Sequence, residues 1–540
     1  MLSPQQQAVI DSDKDQKLVV ATAGSGKTTL LVALLKNLIE EKGVAPSSIL
    51  VTTFNTNAKE QLVEKVFKAL GKSSSQPNIF TLHALGFRYL SKYLKDVKLD
   101  NQTANFMIYK NFKIYDPEKF LEITSKIGVY VNTGNSVFSS EEMKAYLDFK
   151  DEKRRAGIID FNDMIELFNE HLDEVPVEFE YVIIDEFQDM SAIQWRILKK
   201  LASKSNRIVA VGDDDQNIYE WRGSSSSIML NMHEEFPELE RFHLSTNYRC
   251  PSNVLIPLTT VIGNNNKRFD KDILAHNKGG ELKVINNFPY KFLQEGLTAK
   301  PEEEHLILSR TAKPMALLLD YLTVIGTEFK YTESAKNIYL DQLKEVKAMI
   351  DLYSACKSPK NYEKGAKVFS LFKTKVPVKL AQSQLKMHKD LFKSKYIPSA
   401  VTLEGLIKSN NAIGFIRYCG HYLWTNKENS HHYLNMICQE LEILELDRLI
   451  AYITSSKTRV DRLNKKESNI ELMTCHACKG LEYDNVYITG VYNGNFPTKP
   501  RSEEIEAERR LFYVAATRTK KNLYIFTNGE ESMFAKEVLR

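Results

Sequence analysis

At 540 residues the chain is too long for one hydrophobic core, and it divides into three or four units of ordinary domain size. Hydrophobic residues at 43% and charged residues at 26% describe a globular chain, and a formal charge of +4 is too small to require a polyanionic partner, so any nucleic-acid surface is local. No apolar run reaches the ~18 residues of a membrane span, the N-terminal MLSPQQQAVIDSDKD lacks the pattern of a secretory signal, and six scattered cysteines fit reduced thiols; the expected location is the cytoplasm.

Short apolar runs ending in polar or glycine-rich turns recur in chain order: KLVVATAG, SSILVTTF, EYVIIDEF, RIVAVGDD, HLILSRT, NVYITGV and NLYIFTNG. They read as buried parallel strands, and helix-length amphipathic segments such as TTLLVALLKNLIEEKG lie between several of them. Two α/β blocks result. The first is 1–87 with 156–244, interrupted by a helical insertion at 88–155; the second is 245–335 with 460–540, interrupted by another at 336–459. Within the second insertion, Lys357 to Lys395 holds eleven lysines against Glu363 and Asp390, which fits a basic helical face over an apolar one or simply a solvated face.

ATAGSGKTT, from Ala21 to Thr29, follows an apolar strand and precedes a helix, the context a phosphate-binding loop requires. Ala21 fills its first glycine position. Gly24 and Gly26 would let backbone N–H groups close on phosphates, Lys27 would reach the β and γ phosphates, and Thr28 would ligate Mg²⁺. EYVIIDEFQD ends a strand in adjacent carboxylates: Asp185 suits a Mg²⁺ water shell, and Glu186 suits the orientation or deprotonation of an attacking water. In IVAVGDDDQNIYEWRG, Gln216 is placed to sense the γ-phosphate, while Tyr219, Trp221 and Arg222 offer stacking and phosphate contacts to a single strand.

With these stretches in order, the chain resembles the UvrD/Rep/PcrA family of superfamily 1 DNA helicases. LSPQQQAV resembles the family's Q motif, TTFNTNAKEQL motif Ia, FTLHALGF motif Ib and DFNDMI the short motif before the acidic strand; LSTNYRCP resembles motif IV, IELMTCHACKGLEYDNV motif V and ERRLFYVAATRTKKNL motif VI. The resemblance implies two RecA-like parallel-sheet α/β domains, each with a helical insertion, and an ATP- and Mg²⁺-dependent motor moving 3′ to 5′ on single-stranded DNA and separating strands. By the same resemblance Gln6 reads the adenine edge, Tyr248 stacks on the base, Ala23, Gly24, Ser25, Gly26, Lys27, Thr28 and Thr29 hold the phosphates, and Glu482 lies near the ribose. Arg249 and Arg518 become arginine fingers supplied by the second block, so that ATP binding closes the blocks on each other. Phe54, His83, Tyr219, Trp221 and Arg222 line the strand from the first block and His476 from the second.

Three departures stand out. Thr29 replaces a frequent Arg, motif Ia reads Phe54-Asn55-Thr56-Asn57, and the second insertion is shorter than the family's and lacks its G-G-x-x-F signal. The shortened insertion motivates an alternative, a DNA-gated ATPase switch or protein-stripping translocase that unwinds weakly by itself. The implied partners are single-stranded DNA and single/double-strand junctions, with any nuclease or repair or replication protein supplied in trans, because little chain follows motif VI. The free protein is expected to be a monomer, nucleoid-associated if bacterial.

TCHACKGLEYDNV also admits a rival of another class, a zinc-dependent nucleic-acid binding module built on Cys475 and Cys478. The resemblance favours motif V: Thr474, His476, Lys479, Gly480, Leu481 and Glu482 fit T-x-H-x-x-K-G-L-E, and both cysteines fall at variable positions.

Overall fold

The computed structural model describes residues 2–71, 75–93, 98–174, 179–202, 207–331, 339–359, 372, 391–393, 397–424, 428–500 and 504–540. The chain is α/β and forms two compact units, one of Met1–Glu281, Arg501–Lys520 and Glu537–Arg540, the other of Leu282–Pro500 and Lys521–Lys536. Among the described residues no helix is long and apolar enough to cross a membrane.

The first unit is built on a six-stranded parallel sheet. Its order is Asn78–Thr81, Ile49–Thr53, Tyr181–Ile184, Ile208–Gly212, Gln16–Ala21 and Glu240–Leu244. The central strands Ile49–Thr53, Tyr181–Ile184 and Ile208–Gly212 are buried along almost their whole length because helices cover both faces. Leu18, Val20, Val182 and Ile184 point into the layer holding Leu85, Phe168 and Leu198; the alternate residues Val19, Ala21, Ile183 and Val209 meet Leu31, Leu35 and Leu62 on the other side. The phosphate loop, Phe54, His83, the Asp185–Glu186 pair and Gln216 each follow the carboxyl end of one of these strands, where a parallel sheet places its ligands.

Helices Asn101–Asn111, Pro117–Thr133 and Ser140–Ala156 interrupt this unit and bury a core of their own around Met107, Ile127 and Phe149. A two-strand parallel pair, Lys98–Leu99 with Ile158–Ile159, brings the chain in and out. DFNDMI follows directly. Asp160 caps helix Phe161–Glu170 in a capping box with Asp163, and Lys153 is buried between the two carboxylates at 2.7 and 2.5 Å. These acids fasten the insertion to the sheet layer.

The second unit has its own sheet, ordered Glu281–Ile285, Thr519–Phe526, Tyr483–Thr489, His305–Ser309, Ile470–Thr474 and Lys330–Tyr331. His305–Ser309 is parallel to both of its neighbours. The helices between residues 344 and 463 share one apolar core with this sheet: Leu322 and Phe329 pack in the same cluster as Phe415, Tyr433 and Leu449. At its centre the fully buried Asp320 accepts hydrogen bonds from the Tyr433 and Tyr452 hydroxyls, both at 2.6 Å, and pairs with Arg459. Asp320→Ala would strand these donors. It should cost about 3–5 kcal/mol, read as a lowered denaturation midpoint of the second unit.

The boundary drawn by contact differs from the one drawn by motif spacing, because 245–281 and 501–520 group with the first unit. Tyr248 N–H donates to the Gly24 carbonyl at 2.9 Å, and Arg268 forks onto Asp215 with two bonds of 2.8 Å. The basic face anticipated over 357–395 lies largely outside the described residues.

Candidate active site and nucleic-acid interface

Gly24 and Gly26 adopt φ of +65° and +81°, a left-handed backbone that favours glycine. There is also no room for a side chain: a Cβ on Gly24 would stand 2.8 Å from Arg249 Cβ, and one on Gly26 2.7 Å from Gln6 Nε2. Helix Lys27–Lys36 begins immediately, with no side-chain cap and no acid in its first turn, so its N–H groups and dipole are open to an anion. The Ser25 hydroxyl is buried with no hydrogen-bond partner among the described residues. A cradle with an unsatisfied donor, two obligatory glycines and an unneutralised helix start fits a nucleotide's phosphates.

Around the loop stand the carboxylates. Asp185 and Glu186 follow strand Tyr181–Ile184, and Glu186 takes φ +53°, unusual for a non-glycine residue and a mark of a constrained site. Lys27 Nζ lies 2.8 Å from Glu186 Oε2, which also accepts from Gln188 Nε2 at 2.6 Å. Gln188 Oε1 accepts the Asp213 N–H at 2.8 Å, Asp213 Oδ2 accepts Gln216 Nε2 at 2.5 Å, and Gln216 Oε1 accepts Arg518 Nη2 at 3.2 Å. One hydrogen-bonded path therefore runs from Glu186 to Arg518. Arg249 Nη1 donates at 3.2 Å to the carbonyl of Thr517, the residue before Arg518.

Gln6 is already employed. Its Oε1 accepts the Ser3 N–H at 2.9 Å, and its Nε2 lies 3.2 and 3.3 Å from the Ser25 and Gly26 carbonyls, so it props the loop. Tyr248 is exposed, with its ring beside His276 at 4.9 Å, and Thr28 and Thr29 open the helix with partly or fully exposed side chains. Sequence reasoning missed Gln188, Asp213 and Arg510. Arg510 is buried and binds the Asn217 carbonyl at 3.1 Å and Glu220 at 2.6 Å, tying the helix that precedes Arg518 to the turn after Gln216. The charged Glu508-Arg509-Arg510 running directly into the apolar LFYVAA is the signal that could have found it.

That same turn enters a cleft of about 1180 Å³, lined by Phe54, His83, Phe161, Tyr219, Trp221 and Arg222 among others. Phe54 and Tyr219 stack at 4.6 Å, the Arg222 guanidinium lies 4.5 Å over Trp221, and His83 meets Phe161 edge-on at 6.0 Å. Burial lowers the pKa of His83, so it offers the cleft a neutral ring. The Asn55 amide oxygen accepts the Ala58 N–H at 2.8 Å and so caps helix Thr56–Leu70 from the cleft's edge. From the insertion, Ser125 and Asn132 donate to the Trp221 and Arg222 carbonyls at 3.1 and 2.9 Å. All five aromatic and basic residues expected of the first block thus line one cleft.

His476 and Glu482 belong to the second unit, in the turns between Ile470–Thr474 and Tyr483–Thr489; His476 is half-buried and Glu482 exposed. Cys475 and Cys478 are fully buried, and the Cys478 thiol donates to the Cys475 carbonyl at 3.1 Å. The pair turns inward as part of a tight turn. Among the described residues, the one place where three His, Cys or carboxylate side chains converge is Asp213, Asp214 and Asp215.

A phosphate-binding loop, an acidic strand end and a buried arginine around one parallel sheet define a nucleoside-triphosphate-hydrolysing α/β protein of the motor type. The UvrD/REP helicase N-terminal domain matches residues 2–133 and 126–237, and the UvrD-like helicase C-terminal domain matches 425–530. The chain belongs to the UvrD-like helicase family. It is 26% identical to the ATP-dependent DNA helicase PcrA of Bacillus subtilis, over 99% of this chain and 84% of that protein. It is 25% identical to a probable DNA helicase II homolog of Mycoplasma pneumoniae, over 97% of this chain and 84% of the relative, and 25% identical to the putative ATP-dependent DNA helicase YjcD of Bacillus subtilis, over 97% and 78%.

Proposed function

We propose that the chain is an ATP-dependent DNA helicase that moves 3′ to 5′ on single-stranded DNA, engages single/double-strand junctions and acts as a monomer when free. The observation that carries this reading is the turn after strand Ile208–Gly212. Gln216 bonds Asp213 and Arg518, and three to six residues later Tyr219, Trp221 and Arg222 line the aromatic cleft. One short segment therefore reports the state of the nucleotide to the strand.

Lys27 and Glu186 neutralise each other at 2.8 Å. The β and γ phosphates of ATP compete for Lys27, which leaves the Glu186 carboxylate to accept a proton from water as the water oxygen attacks the γ-phosphorus. The bond from that phosphorus to the bridging oxygen breaks, and ADP leaves with the oxygen. Gln216 and Arg518, already joined, face the charge that develops, with Arg249 close by. Thr28 and Asp185 would hold Mg²⁺, whose charge offsets that of the phosphates.

In the cleft, stacking on any base gives tolerance of sequence. Trp221→Ala is expected to weaken single-stranded DNA binding by about one order of magnitude, read by fluorescence anisotropy. An unchanged affinity in both Trp221→Ala and Phe54→Ala would place the strand elsewhere. The shared core of the second unit favours a second reading, a DNA-gated switch or protein-stripping translocase whose shortened insertion does not move by itself. Unwinding of 3′-tailed and 5′-tailed duplexes, beside ATPase assays with single-stranded DNA, duplex DNA and RNA, separates the two. Robust separation of the 3′-tailed duplex supports the helicase, preference for the 5′ tail refutes the polarity, and ATPase without unwinding supports the switch.

A further inference from the structure

Asp213, Asp214 and Asp215 are all buried at the end of strand Ile208–Gly212. Three adjacent buried carboxylates are costly unless paired, and here the counter-charge comes from a segment more than fifty residues away. Lys271 Nζ stands 2.6 Å from Asp213 Oδ1, 2.6 Å from Asp214 Oδ1 and 3.1 Å from Asp215 Oδ2, and 3.5 Å from the Ala21 carbonyl at the end of the strand that feeds the phosphate loop. The ammonium thus occupies the point where the three carboxylates converge. Arg268 binds Asp215 through two bonds of 2.8 Å, and the Phe269 N–H donates to Asp214 Oδ2 at 2.7 Å. Residues 268 to 271 close over the turn that carries Gln216.

The two oxygens of Asp213 divide their work. Oδ1 meets Lys271, and Oδ2 accepts Gln216 Nε2 at 2.5 Å. An ionised Asp213 can only accept, which orients the Gln216 amide with its NH₂ toward Asp213 and its oxygen toward Arg518. Lys271, bonded to Oδ1, holds the carboxylate so that Oδ2 faces Gln216.

We propose that Lys271 is a positioning residue for ATP hydrolysis: through Asp213 it fixes the orientation of the Gln216 amide and thereby the Gln216–Arg518 pair. The proposal rests on Gln216 serving the γ-phosphate.

The test uses the full chain. Lys271→Met alone leaves surplus buried negative charge and can fail to fold, so it is paired with Lys271→Met/Asp214→Asn, which removes one negative charge as well. In the folded variant, kcat for DNA-stimulated hydrolysis is expected to fall about tenfold or more while KM for ATP stays within about threefold, and adding Gln216→Ala costs little further, as expected of residues acting in one chain of contacts. A kcat near wild type, or losses that multiply in the combined variant, overturns the proposal. Its second readout needs no turnover. In the crystal structure of Lys271→Met/Asp214→Asn the Gln216 amide is expected to leave Asp213 or to turn over, and an unchanged Asp213–Gln216–Arg518 arrangement overturns the proposal. Absence of ATP hydrolysis in the wild type would sink the helicase reading instead, and the crystallographic comparison would still decide the role of Lys271.

Discussion

Glu186→Gln is expected to lower DNA-stimulated ATP hydrolysis by about 10²–10⁴-fold, the range a positioned general base supplies, while ATP binding survives. The geometry makes this sharper than a motif alone would. The Glu186 carboxylate is held by Lys27 at 2.8 Å and Gln188 at 2.6 Å. The neutral amide keeps the size of the side chain but ends the ion pair, so Lys27 no longer has to be drawn away from a counter-charge when phosphates arrive. Nucleotide affinity should therefore be unchanged or tighter. Binding of a fluorescent ATP analogue and single-turnover phosphate release measure the two effects separately, and retained turnover would remove Glu186 from the base's role.

Much of this site is legible in the sequence because its requirements are local. A phosphate loop needs glycine where φ is positive and a helix directly after it, and Gly24, Gly26 and the helix from Lys27 satisfy that within a few residues. The same holds for Asp185 and Glu186 at a strand end, and for the aromatic residues that follow Gln216. Partners distant along the chain leave no such pattern. Nothing in RFDKDI announces that Lys271 sits among Asp213, Asp214 and Asp215, nor does LSPQQQAV announce that the Gln6 amide is bound to the loop's own carbonyls. Spacing also assigns 245–281 to the second block although its contacts lie with the first, because motif order records chain succession and not packing. CHAC is ambiguous by spacing alone, and only the resemblance to motif V decides against a metal there: C-x-x-C spacing suits a metal and equally suits a tight turn that buries both thiols.

The path Glu186–Gln188–Asp213–Gln216–Arg518 joins the Glu186 carboxylate to the Arg518 guanidinium without leaving the first unit. Each step offers one donor to one acceptor, so the orientation of every amide along it is set by its neighbours. Gln188 and Gln216 act as relays, and a change at either end reaches the turn that also carries Tyr219 and Trp221. Arg510 adds a second tie from the helix before Arg518 to that turn, through the Asn217 carbonyl and Glu220.

Arg518→Ala should lower kcat by about 10³-fold, the lower part of the range for an arginine finger, with a smaller change in the KM for ATP. Arg518 is almost fully buried, its Nε donates to the Val514 carbonyl at 2.8 Å, and its Nη2 reaches Gln216 at 3.2 Å. The first bond anchors the guanidinium to the last turn of the preceding helix Ile505–Ala516, and the second joins it to Gln216. Arg518→Lys separates charge from geometry. A lysine ammonium carries the charge, but it lacks the planar fork that makes both bonds at once. It should therefore recover only a small part of the lost rate. Stopped-flow phosphate release measures the rates, and thermal melts of both variants distinguish lost catalysis from lost folding. If Arg518→Lys turns over at the wild-type rate, charge alone suffices and the Gln216 contact is incidental; if Arg518→Ala does so, the positive end of the site must be sought at Arg249.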